Sequence, residues 1–156
     1  MAIKKGDFVP ELELITSEGE KIFLPDFKGQ SVVLYFYPKD KTSGCTAEAC
    51  SFRDHKETFD ALDTEIIGVS PDSKESHEEF KKDYNLPFTL VVDESHRLAE
   101  AFGVWKEKEK DGKVYHGNER ATFIIDKEGY IAKVYRDVDV DGHVEDALQY
   151  IKEHMS

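Results

Sequence analysis

The run Ser31-Val32-Val33-Leu34-Tyr35-Phe36-Tyr37 has no polar alternation after its first residue. Consecutive β-branched and aromatic residues are the pattern of a strand covered on both faces, and Pro38, which has no N–H to give a ladder, stops it. Glu65-Ile66-Ile67-Gly68-Val69 repeats the pattern, and Thr89 to Val92 predicts a third strand. Between the first two, Thr46 to Leu62 sets Ala47, Cys50, Phe52, Phe59 and Leu62 at roughly helical spacing without Gly or Pro, which predicts one helix across that span. Pro71-Asp72-Ser73 is a helix-start signal, and the segment Lys74 to Tyr84 places Phe80 and Tyr84 four apart. Strand, helix, strand, helix is the rhythm of parallel crossover units.

The flanks alternate differently. Glu11-Leu12-Glu13-Leu14-Ile15, a turn around Gly19 and the returning Lys21-Ile22-Phe23-Leu24 predict an N-terminal hairpin. His96 to Phe102 reads as a short helix ended by Gly103, and Trp105 to Gly117 as a charged, solvated hairpin or loop turning at Asp111-Gly112. Ala121 to Ile125 and Tyr130 to Tyr135, joined by Asp126-Lys127-Glu128-Gly129, predict an antiparallel hairpin; a closing helix follows with Val144, Leu148 and Ile151 on one face. This order resembles a thioredoxin-like α/β fold. It implies a mixed central β-sheet flanked by helices, with an N-terminal β-hairpin extension and an insertion between the second crossover strand and the later hairpin. No repeat, low-complexity tract or linker interrupts it, so residues 1–156 are expected to form one domain.

Charge and length narrow the function classes. The chain carries 21 Lys and Arg against 33 Asp and Glu, a net charge of −12, which repels a phosphate backbone or an anionic bilayer. The longest apolar run, Val32 to Tyr37, falls far short of the ~20 residues needed to span a membrane, and the opening Met1-Ala2-Ile3-Lys4-Lys5-Gly6 lacks the apolar stretch of a secretion signal. The expected location is cytoplasmic, with neither nucleic acid nor membrane as partner. Two cysteines without an export signal do not make a disulfide scaffold; catalysis, redox sensing, metal binding and plain burial stay open.

Cys45 lies just beyond the first buried strand and at the start of a helix, the edge of an open α/β sheet where ligands bind. Unpaired N–H groups and the dipole at a helix N-terminus stabilise an anion, so a thiol there loses its proton more readily than a free one. The competing reading is a small buried hydrophobe, which the polar Ser43-Gly44-Cys45-Thr46 setting disfavours. Cys50 is five residues on; positions i and i+5 of an intact helix lie about 8.6 Å apart at Cα, beyond the roughly 7 Å limit for a disulfide. A bond between them requires the first helical turns to unwind, which suits a transient of a cycle better than a permanent staple. Cys50 alone also reads as a core residue on the helix's apolar stripe.

Pro38-Lys39-Asp40-Lys41-Thr42-Ser43-Gly44-Cys45 matches the Pro-x-x-x-Thr-x-x-Cys motif of peroxiredoxins, and the four-residue gap from Cys45 to Cys50 is similar to the bacterioferritin comigratory protein, or peroxiredoxin Q, subfamily. The resemblance extends through Val33 to Pro38, Phe52-Arg53-Asp54, Leu86-Pro87-Phe88 and Arg120-Ala121-Thr122-Phe123. Ser43 stands where the familiar form has Pro, which implies a somewhat less rigid loop. The resemblance implies a thiol peroxidase for hydrogen peroxide and organic hydroperoxides. In it Cys45 is oxidised to a sulfenic acid, Cys50 resolves it to an intramolecular disulfide, and thioredoxin or a similar dithiol donor recycles the pair without metal, haem or flavin. It further implies that Arg120 stabilises the thiolate and the developing charge, Thr42 orients the peroxide, backbone N–H groups near Gly44 and Cys45 assist, and Pro38 shields the sulfur. A monomer, or at most a weak dimer, is expected. Spacing alone does not separate Arg120 from Arg53, Arg97 or Arg136, any of which suits a surface ion pair.

Glu48, one turn after Cys45, would by its charge oppose a thiolate, so it needs a cationic partner; the expectation is that it orients Arg120, the alternative being a first-turn Glu favoured by the dipole. The histidines at 55, 77, 96, 116, 143 and 154 form no paired metal-ligand spacing, and no phosphate loop or Ser-His-Asp elbow occurs. Asp137 to Gly142 resembles part of a calcium loop whose terminal Glu is missing, since position 148 is Leu. Two rivals remain: a disulfide reductase, and a non-enzymatic redox sensor or holdase switched by the same cysteine pair. Sustained peroxide consumption separates an enzyme from a sensor.

Overall fold

In the computed structural model, which describes residues 3–155, strand β3 (Ser31–Phe36) is buried at every position. It pairs in parallel with β4 (Thr64–Ser70) on one side and antiparallel with β8 (Ala121–Ile125) on the other. Neighbours on both edges and layers on both faces are what an unbroken apolar run requires. The sheet continues outward through β5 (Thr89–Val92), parallel to β4, then β1 (Glu13–Thr16) and β2 (Lys21–Phe23), while β9 (Ile131–Tyr135) closes the opposite edge. The order β2-β1-β5-β4-β3-β8-β9 is mixed and thioredoxin-like, with the predicted N-terminal hairpin at one edge.

The pleat divides the core in two. Val32, Leu34 and Phe36 face one layer with Leu98 and Ala99 of α4 (Arg97–Ala101); Val33 and Tyr35 face the other, with Phe52, Phe59, Phe80 and Val144. The second layer collects α1 (Ser43–Asp54), α2 (Lys56–Ala61), α3 (Lys74–Tyr84) and α5 (His143–His154). Burying one such phenylalanine is worth about 2–3 kcal/mol, which commits these helices to this face. Val144, Leu148 and Ile151 are buried along α5, as the spacing predicted.

One expectation needs correction. The helix predicted over Thr46 to Leu62 begins earlier, at Ser43, and breaks at His55, whose ring Nδ1 lies 2.9 Å from the Ser51 carbonyl and whose backbone (φ −103°, ψ 6°) leaves the helical basin. Thr42, extended at φ −71° and ψ 156°, is the N-cap, and its carbonyl accepts the first helical bond from Thr46 N at 2.8 Å. As the sequence offered, the charged stretch after α4 is a two-stranded hairpin turning at Asp111-Gly112, of β6 (Trp105–Lys110) and β7 (Lys113–Asn118), outside the main sheet. Among the described residues no helix is long and apolar enough to cross a membrane.

Candidate active site

The sheet order reverses at β3, which has β4 on one side and β8 on the other. Its carboxyl end is therefore a switch-point crevice, and the loop of residues 37–42 carries the chain from there into α1. Cys45 is the third residue of α1 and is 1% exposed; the polar sequence around it suggested a loop-like setting, but its sulfur lies in the core layer beneath the helix. Cys50 is half-buried, and both thiols are free. The helix runs unbroken through both, so the pair is held at helical separation, out of bonding range.

Arg120 immediately precedes β8, whose Ala121 pairs with Phe36. That register delivers its guanidinium to the cysteine: Nη2 lies 3.4 Å from Cys45 Sγ, and Nη1 donates to Glu48 Oε1 at 2.8 Å. Glu48 is fully buried and Arg120 nearly so, at 16% side-chain exposure. Burial works against the Arg120 charge, yet Cys45 and Glu48 together hold its pKa above the ordinary arginine value. Burial pushes the Glu48 carboxyl up to about 7 against the pull of Arg120. Among the described residues, Glu48 Oε2 has no hydrogen-bond partner.

Gly44 makes room for this contact, because a Cβ there would sit 3.1 Å from Arg120 Nη2. Pro38 lines an open groove of about 760 Å³ beside Arg120, together with Lys106, Lys108, Glu119 and Arg136. The Thr42 hydroxyl donates to the Lys39 carbonyl at 3.0 Å, which leaves its lone pairs free to accept. Of the residues predicted for the site, Cys45, Glu48, Arg120 and Gly44 thus meet directly. Pro38 and Thr42 belong to the adjoining loop, and Cys50 waits farther along the helix.

The chain matches the AhpC/TSA family over residues 5–134. It is 57% identical to peroxiredoxin Bcp of Bacillus subtilis over 153 residues, covering 98% of each chain. This chain is a peroxiredoxin. Among solved structures, the peroxiredoxin resembles the Xanthomonas campestris bacterioferritin comigratory protein, with a TM-score of 0.92 and 37% identity over all of both chains. It also resembles a cysteine-to-serine mutant of Xylella fastidiosa PrxQ, with a TM-score of 0.94 and 34% identity over 100% of this chain and 99% of that one. The peroxiredoxin is accordingly a cysteine-based peroxidase of the Bcp/PrxQ type.

Sequence reasoning passed over three side chains around the site. Lys108, in the charged stretch read as solvated, turns inward and donates to the Asn118 carbonyl at 2.5 Å; burial, with the nearby Arg120, lowers its pKa. Asp40 and His77 form a buried pair beneath the loop. With Asp72 they bring three ligand-type atoms within 4.8 Å of one another, although the histidine spacing had offered no metal pair. Both Asp40 oxygens there already accept from protein donors.

Proposed function

We propose that Cys45 is the peroxidatic cysteine and Cys50 the resolving one, in an intramolecular two-cysteine cycle. The Cys45 thiolate attacks the nearer oxygen of hydrogen peroxide or an organic hydroperoxide. The S–O bond forms, the O–O bond breaks, and the far oxygen leaves, taking up a proton to become water or an alcohol. Sulfur has lost two electrons and is a sulfenic acid. Cys50 then attacks that sulfur; the S–S bond forms, the S–O bond breaks and water departs.

One observation carries the reading: a single guanidinium bridges the Cys45 sulfur and the Glu48 carboxylate at the N-terminal turn of α1. Fixed positive charge favours the thiolate and then the negative charge that spreads over both oxygens as O–O breaks. Glu48 orients Arg120, the Thr42 hydroxyl and the N–H groups near Gly44 and Cys45 position the peroxide, and Pro38 shields the sulfur. Closing the disulfide requires α1 to unwind locally. A dithiol donor, thioredoxin or its like, returns two electrons and two protons, and the cycle calls on sulfur alone. The chain acts as a cytoplasmic monomer.

Replacing Cys50 with Ser tests the division of labour. The first oxidation should proceed at the parental rate and stop at a sulfenic acid trapped by dimedone on Cys45, and steady turnover with thioredoxin, thioredoxin reductase and NADPH should collapse. Full turnover by Cys50→Ser would assign resolution elsewhere, and peroxide reduction surviving Cys45→Ser would end the assignment.

A further inference from the structure

The loop of residues 37–42 is fastened to α3 by two successive residues. The Asp40 carboxylate, with a side chain 1% exposed, accepts at Oδ1 from the Tyr37 hydroxyl at 2.6 Å and at Oδ2 from the Ser76 hydroxyl at 2.8 Å. His77 Nδ1 lies 2.7 Å from the same Oδ2, and its Nε2 lies 2.9 Å from the Val91 carbonyl. A carbonyl has no hydrogen to offer, so Nε2 donates. Nδ1 faces a carboxylate oxygen, so both ring nitrogens are engaged and the ring has no solvent exposure. Asp40 N donates to Asp72 Oδ2 at 2.7 Å, tying the loop also to the segment that leads into α3. The next residue, Lys41, is held at φ +67°, a conformation unfavourable for a side-chain-bearing residue, and its ammonium pairs with Glu79 and Asp83 of α3.

These contacts sit between Pro38 and Thr42, just ahead of the turn of α1 that brings Cys45 to Arg120. Pulling out that first turn strains against them. We propose that the buried, hydrogen-bonded Asp40–His77 pair is a positioning device that clamps this loop to α3, favouring attack by Cys45 on peroxide and restraining the unwinding that Cys50 needs. The inference rests on the peroxidatic and resolving roles proposed above. Neither residue touches peroxide; both act through the loop.

The two steps separate by rapid mixing of the reduced full chain with hydrogen peroxide, reading sulfenic acid formation as a second-order rate and disulfide closure as a first-order rate. His77→Gln keeps a donor near the Nε2 position and loses the polar contact to Asp40. Peroxide attack should slow by about tenfold, since a misplaced reacting group is costly, while disulfide closure speeds up. His77→Asn keeps a donor near the Nδ1 position, and its peroxide rate should stay within about threefold of the parent. Ser76→Ala removes one donor to Asp40 without emptying the buried pair. It should shift both rates in the same opposed directions by a smaller factor, and it carries the test if the His77 variants do not fold.

Both rates falling together, neither changing, or the Gln and Asn variants behaving alike would overturn the inference; so would unchanged rates in Ser76→Ala. A parent chain that forms no Cys45–Cys50 disulfide would overturn the underlying two-cysteine reading and take the inference with it.

Discussion

Replacing Glu48 with Gln should make this enzyme more stable at alkaline pH and worse at its chemistry. The carboxyl is fully buried, and its pKa rises from an ordinary 4.5 to about 7 because burial outweighs the pull of Arg120. A carboxyl whose folded pKa lies above its unfolded one favours the fold fully below pH 4.5 and loses that contribution as pH climbs through about 7. At 1.36 kcal/mol per pH unit, the interval from 4.5 to about 7 corresponds to about 3 kcal/mol. Gln has the shape of the protonated acid and does not titrate, so the stability difference between the two proteins isolates Glu48.

Urea unfolding at pH 5, 6, 7 and 8 should show the Gln variant gaining on the parent by up to about 3 kcal/mol across that range. The variant also gives up a charge-assisted hydrogen bond to Arg120 for a neutral one, a loss of about 1.4 kcal/mol in orienting the guanidinium, which is about tenfold in kcat/KM for peroxide at pH 8. A stability difference that stays flat with pH would refute the titration argument. Peroxide kinetics unchanged by the substitution would refute the orienting role.

The remaining predictions concern packing in the sheet and contacts at the site. Gly44→Ala introduces a Cβ 3.1 Å from Arg120 Nη2, which the flexible guanidinium can meet only by shifting. Thermal unfolding should stay within about 1 kcal/mol of the parent, because Ala is a good helix former, while kcat/KM for peroxide falls. Gly68→Ala, in β4, would put a methyl 2.9 Å from the Tyr35 ring and hydroxyl and 3.0 Å from Leu90. That overpacking should cost about 1–3 kcal/mol in urea unfolding. Arg120→Lys removes the planar fork that reaches sulfur and carboxylate at once, so peroxide attack should slow although the charge is kept.

The parts of this molecule legible in the sequence are those whose cause is local. The unbroken run through β3 could only be an interior strand, and Cys45 announced itself by standing where that strand gives way to a helix. The start of α1 at Ser43 was less legible because Thr42 caps through its backbone, and its hydroxyl bonds to Lys39 instead. The break at His55, where the ring lies against the Ser51 carbonyl, is not encoded in apolar spacing. Arg120 is 75 positions from the cysteine it approaches, so only the family resemblance singled it out from the other arginines. Asp40 and His77, 37 positions apart, had no such help: Asp40 occupies an unspecified motif position, and nothing in the spacing set His77 apart from the other scattered histidines. Lys108 was hidden by a charged neighbourhood in which burial of a single ammonium leaves no trace.

The most direct test of Cys45 as the peroxidatic thiol is mass-spectrometric mapping of the reduced chain after mixing with one equivalent of hydrogen peroxide, sampled with dimedone from milliseconds onward. Cys45 alone should be labelled at the earliest times, and the label should give way to a Cys45–Cys50 disulfide. Early label on Cys50, or loss of peroxide with Cys45 left unmodified, would contradict that assignment.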